Sequence, residues 1–172
     1  MKSRILQSVC LLVGMALTGT AVADTAVWKE QQVKLNYFGV TTFYTCNGLQ
    51  DKVRQLFLQL GARDNLKVSA TGCPYGPNEP TNMIWVDISF STLAPAPAGA
   101  GNTVTAEWQD VDLRPTRVNS TGSGDCELIE MLKPVLEQNF SAQQLTVRTQ
   151  CKPGQVGISD YQVSGKLLKA SR

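Results

Sequence analysis

The sequence predicts an α+β fold in two layers, with two helices on one face of a mixed, mostly antiparallel sheet of about six strands. Two segments, 46–61 and 126–140, place apolar residues at helical spacing, and each begins at a cysteine. Strand-like alternation flanks both of them. The order strand, helix, strand, strand then occurs twice, as expected of a duplicated β-α-β-β unit with an approximate twofold between its copies.

The spacing of landmarks supports the repeat. Trp28 precedes Cys46 by as many residues as Trp108 precedes Cys126. In each copy a further cysteine, Cys73 or Cys151, closes the strand after the helix. A strand, a returning helix and a second strand running with the first form a right-handed crossover. The start of the helix and the end of the second strand then share one edge. The expected bridges are therefore Cys46–Cys73 and Cys126–Cys151, each within one half. Each closes a loop of roughly 25 residues, worth about 3–4 kcal/mol of chain entropy.

Residues 1–23 read as a Sec-type bacterial signal peptide. Lys2 and Arg4 precede an apolar run over 9–17, and Ala21-Val22-Ala23 supplies the small residues of a cleavage site. The run is well below the roughly 20 residues that span a bilayer. No later stretch is apolar enough to cross one, so a membrane-spanning chain is not expected. Cys10 leaves with the signal, and the even number of remaining cysteines suits an oxidising compartment, the periplasm or the exterior. The signal also removes two of the 16 basic residues and none of the 14 acidic ones. The mature chain is formally neutral, which gives no reason to expect nucleic acid.

Taken in order, 27–45 reads as one long or broken strand. Val33, Leu35 and Tyr37 alternate with Lys34 and Asn36, and Gly39 marks a bulge or bend. The first helix carries Leu49, Val53, Leu56, Phe57 and Leu60 as a stripe. Asn47 with Gln50 fits a capping box, Thr45 competes as the cap, and Gly61 fits the left-handed terminator. A short strand over 66–73 meets a loop holding Pro74, Gly76, Pro77 and Pro80. In 83–93, Ile84, Val86, Ile88 and Phe90 point one way and Trp85, Asp87 and Ser89 the other; this strand should pair antiparallel with 66–73.

The Ala/Pro/Gly stretch 94–102 is a linker. It divides a first half, 24–93, from a second, 103–172, within one domain. In 103–114 the apolar phase changes between Trp108 and Val111, which suggests a bulge near Gln109. The second helix has its stripe at Leu128, Leu132, Val135, Leu136 and Phe140, with Asp125 or Ser123 as cap. Pro134 interrupts it at a cost of about 3 kcal/mol, yet the stripe continues, so one bent helix is expected. Strands over 145–151 and 158–168 close the half; Tyr161, Val163, Gly165 and Leu167 share a phase.

The chain has no histidine. That excludes Ser-His-Asp and Cys-His catalysis and removes the commonest metal ligand. No CxxC occurs, and bridged cysteines leave no thiolate for a soft metal. The acid pairs Asp110/Asp112 and Asp125/Glu127 lack the spacing of a calcium loop, and no glycine-rich phosphate loop is present. No catalytic residue, metal or cofactor is expected.

Binding is the remaining expectation. Tyr37, Phe38, Phe43, Tyr44 and Tyr75 lie in segments that should meet where the helices start, and free amides at those helix starts favour anions. Arg114 and Arg117 occupy the matching segment of the second half. Trp85 points away from Ile84 and Val86, to the helix-free side or beneath a helix. The candidate binding residues are Tyr44, Tyr75, Trp85, Arg114 and Arg117, on a non-catalytic binding or adaptor module for a peptide, a glycan or an envelope protein. The alternatives are an envelope assembly component and a hydrolase using carboxylates.

Overall fold

The computed structural model describes residues 24–115, 125–155 and 160–171. The signal peptide, Arg117 and Ser123 lie outside them. The elements are β1 (Asp24–Phe38), α1 (Cys46–Gln59), β2 (Lys67–Thr71), β3 (Met83–Pro95), β4 (Val104–Leu113), α2 (Asp125–Asn139), β5 (Ala142–Gln150) and β6 (Asp160–Ala170). The strands form one sheet in the order β2-β3-β1-β4-β6-β5.

Every ladder in this sheet is antiparallel, which refines the expected mixed sheet. β1 and β2 do run the same way, as the crossover requires. They are not neighbours, because β3 lies between them and pairs with both. β6 lies in the same way between β4 and β5. Trp28 faces Leu93 across β1 and β3, and Trp108 faces Leu168 across β4 and β6. Within the sheet the halves pair only through Asp24–Ala26 of β1 and Val104–Ala106 of β4.

Both helices cover the same face. Leu35 and Tyr37 of β1 and Ile84, Val86, Ile88 and Phe90 of β3 pack in one cluster with Leu49, Val53 and Phe57 of α1 and Leu128, Leu132 and Leu136 of α2. An aromatic triad ties the halves at its centre. Phe57 sets its edge on Phe90 at 4.8 Å and on Phe140 at 5.6 Å, and the latter two stack at 5.9 Å. The predicted stripes are thus the buried faces of the helices. Thr45, the competing cap, is the one used: its hydroxyl accepts from Gly48 N at 2.8 Å. Asn47 lies inside the helix and donates its N–H to Pro77 O. Gly61 ends the helix with φ +94°. α2 is continuous through Pro134.

Two local expectations are corrected. The register of β4 with β6 is unbroken, so there is no bulge at Gln109. Its phase changes because the strand buries different faces at its two ends. Val104, Ala106 and Trp108 join Ala26, Leu93 and Leu168 in a small cluster on the helix-free side, whereas Val111 and Leu113 join the main core. The irregularity lies in β5, between Gln143 and Thr146, where Gln144 has φ 55°. The first strand also stops earlier than expected, at Phe38. Gly39 then opens a turn so tight that a Cβ there would strike the Thr42 carbonyl oxygen.

Candidate functional site

The two bridges form as the topology requires, Cys46–Cys73 with Cα atoms 6.1 Å apart and Cys126–Cys151 at 5.6 Å. The first gathers two loops. Gly39 N donates to Asn82 O at 2.8 Å, Tyr44 and Thr81 exchange backbone bonds at 3.2 and 2.8 Å, and Asn47 N donates to Pro77 O at 3.1 Å. Segments 38–44 and 72–85 therefore build one end of the first half.

This end is apolar and open. Seven large hydrophobic side chains are exposed among the described residues, and all but Leu58 are here: Phe38, Val40, Phe43, Tyr75, Met83 and Trp85. Phe38 pairs with Met83, and Trp85 follows on the same, helix-free side. Beside them lies a recess of about 540 Å³ lined by Gly72, Cys73, Pro74, Met83 and Trp85. Gly72, at φ +92°, passes directly against the indole, where a Cβ would collide with the ring. Glu79 is the one charged residue in these two segments.

Behind this surface lies a polar seam made by the first turn of α2. The Glu127 carboxylate accepts from Val40 N, Thr41 N and Thr42 N at 3.1, 2.9 and 3.2 Å. Asp125 accepts from the Tyr44 hydroxyl and from Lys52 Nζ, both at 2.7 Å. Gly154 N donates to Thr41 Oγ1 at 2.8 Å, and Tyr37 donates its hydroxyl to Thr42 O at 2.6 Å. Burial pushes the Tyr37 and Tyr44 phenols far up; the carboxylates of Glu127 and Asp125 add to this for Tyr37, and that of Asp125 for Tyr44. Burial, with Asp125 and Asp160 nearby, raises Tyr161 to about 12. All three hydroxyls thus stay protonated at neutral pH, and those of Tyr37 and Tyr44 serve as donors.

The expected site residues separate into distinct environments. Trp85 is 48% exposed on the helix-free side and Tyr75 is 85% exposed on the loop beside Pro74; both belong to the apolar end. Tyr44 turns inward, with its ring edge-on to Tyr37 at 5.1 Å and its hydroxyl engaged by Asp125. Arg114 lies on the second half and pairs with Asp112, Nη2 to Oδ2 at 2.9 Å, which holds that carboxyl below its usual range. Asp110 and Asp112 line an open recess of about 340 Å³, with Lys166 Nζ 4.0 Å from Asp110. Arg117 falls outside the described residues. Phe38 and Met83 join the site through their shared phase with Trp85. The clasp by Glu127 had no signal in the sequence beyond its place in an acid pair.

No helix among the described residues is long and apolar enough to cross a membrane. No protein-family model matches the chain, and neither a curated protein nor a solved structure matches it.

Proposed function

We propose that this chain is a non-catalytic binding or adaptor module of the periplasm or the exterior, and that its partner docks on the end built from 38–44 and 72–85. One observation carries the reading: nearly all the exposed large hydrophobic side chains among the described residues gather there. Contiguous exposed apolar surface marks contact sites. Interface cores are rich in aromatic residues and methionine and poor in charge, the composition found here. The loops that carry these side chains are held by a disulfide and by backbone bonds to each other, so little order is lost on binding.

The partner this surface fits is a polypeptide that brings apolar side chains and little charge. β2 adds an edge for it. This outer strand is regular, contains no proline and lies beside the recess, whereas the opposite edge strand, β5, carries a bulge. An extended segment could pair along β2 and place a side chain against Trp85. The absence of histidine and the internal engagement of Asp125 and Glu127 support a role without catalysis. The test is a photoreactive benzoylphenylalanine at Met83, compared with the same group at Glu137 on α2, in envelope extract. The reading expects one discrete adduct from position 83, suppressed by Trp85→Ser, and none from 137. Equal labelling at both positions, or none at 83, would refute it.

A further inference from the structure

Three consecutive backbone amides converge on a carboxylate from the other half of the molecule. Val40, Thr41 and Thr42 donate to Glu127, and Thr41 N reaches both of its oxygens, at 2.9 and 3.2 Å. Successive amides turned to one side make a nest, a concavity that binds anions through backbone dipoles alone. No ion pair to Glu127 occurs among the described residues, so no side-chain cation is seen sharing the task. The nest lies at the end of β1 where its ladder with β4 is absent, since those strands pair only over Asp24–Ala26. At this end the sheet does not join the halves.

We propose that 40–42 is a carboxylate-binding site that the chain fills with its own Glu127. The second half thereby sets the shape of the loop on which Val40 and Phe43 are displayed. This stands whether or not a partner docks at that end. Much of the nest is formed without Glu127. Gly39 fits a turn with no room for a Cβ, the Tyr37 hydroxyl holds Thr42 O, and Gly154 N holds the Thr41 hydroxyl. A preformed nest should accept an external carboxylate in place of the side chain.

The direct test uses the full oxidised chain carrying Glu127→Ala. The atoms that alanine lacks are those of an acetate ion. Amide hydrogen exchange followed by NMR should show Val40, Thr41 and Thr42 exchanging about ten- to a hundredfold faster than in the parent, the effect of losing charge-assisted bonds. Sodium acetate should restore their protection with a saturating dose dependence, and sodium chloride at equal ionic strength should not. Glu127→Gln, which keeps an acceptor but not the charge, should give intermediate exchange and provides the test if the alanine variant fails to fold. Unchanged exchange in Glu127→Ala, equal effects of acetate and chloride, or parental protection in Glu127→Gln would overturn the proposal.

Discussion

Opening one cystine bridge should cost each half nearly the same stability. Replacing Cys46 and Cys73 together by alanine releases a loop of 27 residues, and replacing Cys126 and Cys151 releases one of 25. The chain-entropy relation gives about 3.5 kcal/mol for either, because the logarithm hardly separates the two lengths. Cys46 and Cys126 are both buried, so trimming the sulfur adds about 1 kcal/mol. Each double variant should therefore lose about 4–5 kcal/mol, a large share of the 5–15 kcal/mol typical of a domain. Urea unfolding followed by far-ultraviolet circular dichroism reads this directly. The midpoint should fall and the m-value should rise, because an uncrosslinked denatured chain exposes more surface. An unchanged m-value, a loss below about 1 kcal/mol, or a difference between the variants above about 2 kcal/mol would refute the entropic reasoning.

Other expectations rest on single contacts. Phe57→Ala removes a fully buried ring from two edge-on partners and should cost about 4 kcal/mol in the same urea assay. Gly72→Ala meets both a left-handed φ and the Trp85 indole; it should cost about 1–3 kcal/mol and shift tryptophan fluorescence, because the ring must move. The buried tyrosines set an alkaline limit. A phenol whose folded pKa exceeds its unfolded value binds its proton more tightly when folded, so its stabilising contribution is present below about pH 10 and declines above it. For Tyr161 the decline should run from about pH 10 to about 12, with Tyr37 and Tyr44 extending it upward. Absorbance at the phenolate band, recorded with the unfolding midpoint, checks the order of events: a stability that stays level to pH 12 would contradict it.

Periodicity showed which side chains point together, and that made the helices and their buried stripes readable from the chain; it set Trp85 opposite Ile84 and Val86 but did not say whether a helix covers that side, which its 48% exposure settles. The bridges were readable because a crossover leaves few places where helix entry and strand exit can meet. Periodicity does not say which strand lies beside which, so the insertion of β3 between β1 and β2 had to come from the structure. Nor does it say that one strand can bury opposite faces at its two ends, which is why the phase change in β4 resembled a bulge. In the loop 39–45 no repeat orients the side chains, and Tyr44 turned inward to Asp125 while Phe43 turned out. The clasp of Thr41 by Glu127 joins residues 86 positions apart, and neither residue type marks the other.

Each half is stapled to itself, and the Cys46–Cys73 staple brings the loops of the apolar end together. Peptide mapping of the unreduced protein tests that most directly. The account predicts linked peptides containing Cys46 with Cys73 and Cys126 with Cys151, and no others. A peptide joining a cysteine of one half to a cysteine of the other, or free thiols at these positions in oxidised material, would contradict it.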